Sequence, residues 1–311
     1  MKVLGLCAGR INGNTEMMMK EAFMAIEEKI EGVECSLVRI QETKINTCTG
    51  CEACMINHLK GNWEFRCIHG IETDHFYFIE QLMREADAII VSSPAYNLLP
   101  TGQLIKVLNK MHASGNYRDV VLKEENYKVG AAFSIGGTDW TNFTLNTCKM
   151  IAMEMCGAYS TLADAVHFDF YNGKGNVLID DVVMPRMRKF GENIADALLA
   201  REAGRKYTYK GQTGICPDCH GTLLEIREDG VYCPECLTKA NVSIVDGKLM
   251  AEFTEEERNK NRWSPWGREL HDNNIRKGHK WGAENKDIIQ EREKKYKAYG
   301  HVVELPEIKE R

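Results

Sequence analysis

The sequence predicts an α/β protein built on a doubly wound parallel sheet, followed by a smaller metal-binding region. Short apolar runs alternate with helical segments up to about residue 205, which is the order of parallel strands joined by crossover helices. Eight of the twelve cysteines fall into two groups of four. The 311 residues are enough for one full-sized domain and a smaller one.

Five segments have the aliphatic content of buried strands. They are KVLGLC (2–7), VECSLVRI (33–40), DAIIVSSP (87–94), YKVGAAFSI (127–135) and YSTLADAVHF (159–168). Helical patterns lie between and after them, over residues 14–30, 72–86, 101–113, 141–157 and 184–202. Asparagine and threonine residues are available to cap the first of these helices. We therefore expect a five-stranded sheet with helices covering both faces.

The alternating pattern ends after Arg205. Residues 206–250 read as short, glycine-punctuated β-like pieces that contain the second cysteine group. Residues 251–311 are rich in Glu, Lys, Arg and Asn, with three tryptophans interspersed. The sequence thus predicts a sheet domain over 1–205, a metal ribbon over 206–250 and a charged helical arm over 251–311. A partly disordered extension is the alternative interpretation of the arm.

Composition limits the classes of partner and the compartment. The formal net charge of -5 gives no reason to expect nucleic acid or an anionic membrane as a partner. The first residues do not resemble a signal peptide, and no apolar run approaches membrane-spanning length. We therefore expect a cytoplasmic protein with reduced thiols, in which grouped cysteines bind metal or act in catalysis rather than form disulfides.

Three loops follow strands on the edge of the sheet where ligands of doubly wound folds bind. The loop at 7–16, CAGRINGNTE, combines glycines with a helix start and favours a mononucleotide phosphate. It has neither the Walker lysine nor the G-x-G-x-x-G spacing. The loop at 92–103 is stiffened by two prolines and contains a tyrosine ring. In the third, at 134–140, Gly136 and Gly137 let the backbone approach a ligand closely.

The stretches GRINGNTE, EADAIIVSSPAYN and TGQLIKVLNK, with the double-glycine loop and the first cysteine group, carry a resemblance. From Lys2 to about Arg201 the chain resembles the flavodoxin-like NAD(P)H-dependent FMN reductase family, especially its iron–sulfur flavoprotein branch. The resemblance implies a flavodoxin-like fold with FMN as cofactor. The residues it implies are Arg10, Asn12, Asn14 and Thr15 at the phosphate, and Pro94, Ala95, Tyr96, Asn97, Gly136 and Gly137 at the isoalloxazine ring.

The first cysteine group consists of Cys48, Cys51, Cys54 and Cys67. Its C-x2-C-x2-C step suits a [4Fe–4S] cluster, because thiolates three residues apart on a loop converge on neighbouring irons. Cys67 follows after twelve intervening residues, and the free energy of closing such a loop rises only slowly with its length. Metal-free thiols and a zinc site are the alternatives.

The second cysteine group consists of Cys216, Cys219, Cys233 and Cys236. These residues form two C-x2-C knuckles separated by thirteen residues, a pattern typical of a tetrahedral site with four sulfur ligands. Zinc is the expected metal, since it commonly stabilises a piece too small for its own core. Rubredoxin-type iron is the alternative, and His220 is expected to be a bystander.

Together these features predict an FMN-dependent oxidoreductase. NAD(P)H or a low-potential, ferredoxin-type carrier would supply electrons to a small conjugated acceptor such as a quinone. No catalytic side chain is assigned, because the flavin itself carries the chemistry. The alternative is an iron–sulfur flavoprotein electron carrier that serves a protein partner. The resemblance also implies a homodimer or homotetramer, in which Trp263, Trp266 and Trp281 would be buried.

Overall fold

A computed structural model describes residues 1–69, 74–212 and 214–298, which form a compact unit Met1–Arg268 and a second unit that begins at Glu269. The strands are β1 (Lys2–Cys7), β2 (Glu34–Arg39), β3 (Ala88–Pro94), β4 (Val129–Ile135), β5 (Thr161–Phe168), β6 (Glu225–Arg227), β7 (Gly230–Tyr232), β8 (Lys239–Val245) and β9 (Lys248–Glu252). The helices are α1 (Asn14–Lys29), α2 (Ala53–Leu59), α3 (Phe76–Glu85), α4 (Gly102–Lys110), α5 (Arg118–Val121), α6 (Thr144–Cys156), α7 (Val183–Glu202), α8 (Glu255–Asn259), α9 (Pro265–Glu284) and α10 (Lys286–Ala298).

The larger sheet has the strand order β2-β1-β3-β4-β5, and all of its pairs are parallel. The prediction of a five-stranded, doubly wound, flavodoxin-like fold is therefore confirmed. Every residue of β4 is buried, because α1 and α7 cover one face of the sheet while α3, α4 and α6 cover the other. β2 lies at an edge and has no fully buried residue.

Close packing fixes α7 against α1 and β5. A Cβ on Gly191 would lie 2.2 Å from the Ala22 carbonyl oxygen, so glycine permits the two helices to approach. On the β5 side, the buried carboxylate of Asp164 accepts hydrogen bonds from Arg186 at 2.6 and 3.0 Å and from Asn193 at 2.7 Å. A buried charge is stable only with such partners, so this group sets the position of α7 on the sheet.

After α7 the chain forms a four-stranded antiparallel sheet in the order β6-β7-β8-β9. The second cysteine group lies before β6 and between β7 and β8, as expected for a C-terminal metal module. The helices α8, α9 and α10 follow within the range predicted as a charged arm. The boundaries predicted at 205 and 250 stay predictions. Among the helices of the described residues, none has the length and apolar content needed to cross a membrane.

Candidate functional site

The loop after β1 leads into α1 with a tight turn. The Gly13 N–H donates to the Arg10 carbonyl at 2.8 Å, and Asn12 has a positive φ of 50°. Gly13 is the N-cap of α1 and supplies no side-chain cap. The first N–H groups of a helix have no partner within the helix and lie at the positive end of its dipole. The turn therefore offers N–H donors to an anion.

Glu16 holds this loop from inside. Its carboxylate accepts the Asn12 N–H at 2.9 Å and is bound by Arg39 at 2.9 and 3.0 Å and by Lys20 at 2.6 Å. The Arg39 hydrogen bonds, followed by those of Lys20 and the Asn12 N–H, lower the pKa of Glu16 to about 2 despite its burial. The carboxylate is thus ionised at neutral pH, and it fixes the backbone between β1 and α1.

The loop after β3 makes a narrow two-residue turn. Tyr96 and Leu99 exchange backbone hydrogen bonds of 2.8 and 3.3 Å, and the central residues Asn97 and Leu98 both have positive φ, at 50° and 75°. This combination matches a type I′ turn. At its start, the Ala95 N–H donates to the Ile135 carbonyl at 2.8 Å, which joins the turn to the end of β4.

The loop after β4 needs its glycines. A Cβ on Gly136 would lie 2.1 Å from Thr141 Cγ2, and one on Gly137 would lie 2.1 Å from Asn172 Oδ1. Gly136 also pairs with the end of β5 and the segment that follows it. Its N–H donates to the Phe168 carbonyl and its carbonyl accepts the Tyr171 N–H, both at 2.8 Å. The absence of side chains therefore lets this loop lie flat against its neighbours.

A chain of side-chain hydrogen bonds supports the same loop from below. The Thr141 hydroxyl donates to Asp169 Oδ1 at 2.9 Å. His167 Nε2 contacts the same oxygen at 2.8 Å, and its Nδ1 lies 2.6 Å from the buried Ser134 hydroxyl. Residues of β4, β5 and the loop between β4 and α6 are thereby connected. No such network was expected from the sequence.

These loops border one cavity of about 410 Å³, whose lining includes every predicted cofactor residue except Asn12. The lining residues that sequence reasoning missed are Gly13, Ile135, Thr138, Trp140, Tyr171 and Asn172. The Asn14 amide is engaged with the loop after β5, since Nδ2 donates to the Gly173 carbonyl at 2.8 Å and Oδ1 accepts the Gly175 N–H at 2.6 Å. Its contact with a phosphate stays a prediction.

The residues around the cavity fit FMN. Among the described residues that line the cavity, Arg10 is the one charged side chain, and Thr15 and the start of α1 line the same cavity, which suits a phosphate. Gly136 and Gly137 leave room where side chains would clash, which suits a flat ring against backbone. The volume lies within the roughly 300–1,000 Å³ of small-molecule sites.

The first cysteine group lines a second, smaller cavity of about 30 Å³, into which Cys48, Cys51, Cys54 and Cys67 all face. Within the part of the chain that the structure describes, these thiols do not form a compact set of metal ligands as the second group does. Wider spacing is compatible with a cluster, because several irons would lie between the sulfurs. Burial raises the pKa of the Cys54 thiol.

A buried ion pair closes the wall behind these thiols. Lys110, which also lines the small cavity, pairs with the Asp74 carboxylate and donates to the His69 carbonyl at 3.2 Å. Asp74 in turn accepts the backbone N–H groups of Asn46 and Phe76, each at 2.9 Å. The segments on both sides of the cysteines are thus connected to the end of α4.

The second cysteine group forms a compact site. All four thiols of Cys216, Cys219, Cys233 and Cys236 are buried and lie within 4.8 Å of one another. The two knuckles have the same backbone form. In each, the residue that follows the knuckle's second cysteine, His220 or Leu237, has a positive φ and donates its N–H to the carbonyl of the knuckle's first cysteine. Four convergent sulfurs suit one tetrahedral metal ion. The His220 ring is stacked on the Tyr209 ring with the ring centres 3.6 Å apart, and His220 is not among the grouped metal-ligating side chains of the described residues.

Lys149 of α6 connects this metal module to the sheet domain. Its ammonium donates to the carbonyls of Cys219 and His220 at 3.3 and 2.8 Å and lies 3.2 Å from the Glu235 carboxylate. Both charged side chains are buried, and burial raises the pKa of Glu235 to about 7. One turn further along α6, Met153 packs against the cysteines. The module is therefore held on α6 by a desolvated polar contact.

Comparison with known proteins gives three findings. The model of the NADPH-dependent FMN reductase family matches residues 1–173. Flavone synthase cfoJ of Aspergillus candidus is 25% identical over 281 residues, which cover 83% of this chain and 83% of that protein. Iron-sulfur flavoprotein MJ1083 of Methanocaldococcus jannaschii is 26% identical over 205 residues, which cover 64% of this chain and 97% of that protein.

A solved structure of a flavone reductase covers 99% of this chain and 100% of its own, with a TM-score of 0.75 and 22% identity, and this likeness concerns the fold. The two curated relatives differ in extent. The alignment with the flavone synthase covers more residues of this chain than the predicted sheet domain, 1–205, contains. The alignment with the iron–sulfur flavoprotein leaves about a third of the chain unmatched.

Proposed function

The chain belongs to the NADPH-dependent FMN reductase family, and we propose that it is an FMN-dependent oxidoreductase that reduces a small conjugated acceptor. NAD(P)H, or a ferredoxin-type carrier, is the donor. With NAD(P)H, the donor loses a hydride and becomes NAD(P)⁺, while the acceptor gains the hydride and a proton from solvent. The observation that carries this proposal is the single cavity bordered by the loops after β1, β3 and β4.

The chain's own residues bind and orient the cofactor. Bound FMN supplies a carrier of two electrons between donor and acceptor. Arg10 and Thr15, with the first N–H groups of α1, bind its phosphate, and Glu16 keeps their loop in shape through the Asn12 N–H. Gly136 and Gly137 let backbone groups reach the edge of the ring, since a Cβ at either position would clash with the next layer.

We further propose that the acceptors include flavone-like compounds beside quinones. The relative whose alignment covers 83% of this chain, at 25% identity, and the solved structure with the same fold are both named for a flavone. A flavone is a neutral, planar aromatic ketone with a conjugated carbon–carbon double bond, to which a hydride and a proton can be added. Aromatic rings at the mouth of a cavity favour such planar molecules, because they stack on them.

Anaerobic turnover with purified, FMN-loaded protein tests the proposal. We expect oxidation of NADH or NADPH that depends on added flavone or naphthoquinone and on FMN. Arg10→Ala and Thr15→Ala should each weaken FMN binding by about 1–3 kcal/mol, because each removes a donor to the phosphate. Lys106→Ala, in α4 and outside the cavity lining, serves as the charge-matched control. A protein that binds no FMN at excess cofactor would refute the proposal.

An iron–sulfur electron carrier is the second candidate, supported by the four thiols that face one small cavity. If Cys48, Cys51, Cys54 and Cys67 hold a [4Fe–4S] cluster, anaerobic protein contains about four irons and four sulfides per chain beyond the metal of the second site. Cys51→Ala should remove them and leave FMN bound. Cys35→Ala, a half-buried cysteine outside both groups, should change neither. Sulfide-free protein after reconstitution would favour metal-free thiols.

The remaining expectations stay proposals. We propose zinc in the second cysteine site, with rubredoxin-type iron as the alternative, and assembly as a homodimer or homotetramer, measurable by light scattering. Trp266 and Trp281 are exposed in the single chain, which is consistent with contact between copies. The twelve cysteines, all free in the structure, favour a reducing compartment such as the cytoplasm.

A further inference from the structure

Trp140 stands out among the residues that line the larger cavity. Its side chain is 64% exposed, and that of Tyr96, which lines the same cavity, is 53% exposed. Single exposed aromatic side chains are common on protein surfaces, but two that line the same cavity favour a binding surface. Neither the phosphate nor the ring edge of FMN needs a tryptophan at this position.

Backbone hydrogen bonds join the two loops that carry these rings. The Leu98 N–H donates to the Trp140 carbonyl at 3.2 Å, and the Leu98 carbonyl accepts the Phe143 N–H at 3.1 Å and the Thr144 hydroxyl at 3.0 Å. Leu98 holds a φ of 75°, which a residue with a side chain adopts only where its surroundings impose it. The turn at Tyr96 and the loop at Trp140 are therefore fixed to each other.

The other end of the Trp140 loop is fixed as well. Thr141, the next residue, donates to Asp169, which is held by His167 and through it by Ser134. Trp140 thus lies between two anchored backbone positions although its ring faces solvent. An exposed ring on a fixed backbone is a pre-organised surface, and binding to it loses little conformational freedom.

The charge of the lining restricts what can bind in this cavity. Within the described part of the chain, Arg10 is the one charged side chain that lines the cavity, and it belongs to the loop after β1 that suits a phosphate. Among the described residues, the ends of β3 and β4 and the loops after them contribute only uncharged side chains to the lining, among them Pro94, Ala95 and Ile135. An uncharged, planar, aromatic molecule is the occupant that such walls favour, because a charged one would lose hydration without gaining a partner.

We infer that Tyr96 and Trp140 are the two aromatic walls of the acceptor subsite, and that Trp140 selects neutral, planar, fused-ring carbonyl compounds over other oxidants. This inference rests on the proposed function. The acceptor lies against these rings, and its conjugated bond or quinone gains a hydride and a proton while NAD(P)H is oxidised. Trp140 takes no part in electron transfer. It contributes stacking area, so its effect falls on acceptor affinity.

The test compares acceptors of different shape in anaerobic, FMN-saturated protein. Flavone and naphthoquinone are planar and neutral, whereas ferricyanide is a compact anion that takes one electron, two per NAD(P)H. For Trp140→Ala we expect the ratio of kcat/KM for the planar acceptor to kcat/KM for ferricyanide to fall about tenfold or more, mainly through KM. Trp140→Phe, which keeps a ring, should restore most of the ratio.

Phe143→Ala is the matched control. Phe143 is on the same segment and is exposed, but its side chain lies outside the cavity lining, and the substitution keeps its backbone bond to Leu98. The ratio should therefore be that of the unchanged protein. If Trp140→Ala leaves the ratio unchanged, the acceptor subsite is refuted. The subsite is also refuted if the substitution alters the assembled mass by light scattering without altering the KM for the planar acceptor, and in that case another copy of the chain covers the ring.

The outcomes separate this inference from the function beneath it. Protein that reduces ferricyanide with NAD(P)H but neither planar compound refutes the acceptor subsite and leaves the FMN oxidoreductase intact. Protein that binds no FMN, or reduces nothing, refutes the proposed function itself. A tenfold loss with Trp140→Ala, rescued by Trp140→Phe and absent in Phe143→Ala, supports both.

Discussion

Neutralising Glu16 gives a quantitative test of the loop that carries the proposed phosphate donors. The substitution Glu16→Gln keeps the shape of the side chain and removes its charge. The pKa of Glu16 is lowered from 4.5 to about 2, first by Arg39. At about 1.36 kcal/mol per pH unit between these values, the ionised carboxylate stabilises the folded state by about 3 kcal/mol at pH 7. Arg39 is 33% exposed and Lys20 is 52% exposed, so solvent screening reduces this to about 2–3 kcal/mol.

The dependence on pH has a definite sign. A carboxylate whose pKa is lowered by folding stabilises the protein above the pKa of the unfolded chain, and the stabilisation disappears as pH falls through the folded value. The difference in free energy of unfolding between wild type and Glu16→Gln should therefore be constant above about pH 5. It should narrow from pH 4.5 downward and vanish near the pKa of about 2. Urea unfolding across this range measures it.

Two controls make the result interpretable. Glu85→Gln breaks the exposed pair between Glu85 and Lys2, and little change is expected because surface ion pairs contribute little. Glu16→Ala also removes the acceptor of the Asn12 N–H, so FMN affinity should fall more than in Glu16→Gln. A difference between wild type and Glu16→Gln that is absent at pH 7, or equally large at pH 3, would contradict the assigned role of this carboxylate.

Three further predictions concern other contacts. Lys149→Met should destabilise the metal module by about 1–3 kcal/mol, because the carbonyls of Cys219 and His220 lose their donor and buried Glu235 loses its partner; limited proteolysis should detect the release, and an unchanged cleavage rate would contradict it. Asp169→Ala should weaken FMN binding several-fold, because the Thr141 hydroxyl loses its 2.9 Å acceptor; a fluorescence titration measures this, and unchanged affinity would contradict it. Cys233→Ser should remove one metal ion per chain by mass spectrometry while FMN stays bound; full retention of the metal would rule out this site.

The sheet and the positions of its loops could be predicted from sequence because their signals are local. A run of seven buried residues in β4 is visible as an apolar segment. Parallel strands bring the loops after β1, β3 and β4 to one edge whatever their exact conformation. The knuckles at Cys216 and Cys233 are equally local, since two sulfurs three residues apart on a tight turn converge on one point.

What the sequence did not indicate depends on pairing between distant segments. Tyr171 and Asn172 lie at the cavity beside the backbone pairing between Gly136 and Tyr171, and Trp140 lies there with its carbonyl bound by the Leu98 N–H; no periodicity encodes these pairings. Nothing in the sequence distinguishes Lys149 from other polar residues of a helix, because its hydrogen-bond and ion-pair partners lie about seventy or more positions away. Asn14 was expected at a phosphate, and the structure also shows its amide tying two loops together.

The Asn14 hydrogen bonds determine when the cavity can exist during synthesis. Asn14 leaves the ribosome early, but its partners at Gly173 and Gly175 are made about 160 residues later. At roughly 5–20 residues per second this interval lasts roughly 8–32 s. A nascent chain therefore has a strand and a helix long before the loops around the larger cavity can be joined. If FMN binds there as proposed, its capture is a late event of biogenesis, because a chain stalled before Gly173 lacks the partners that hold the first loop.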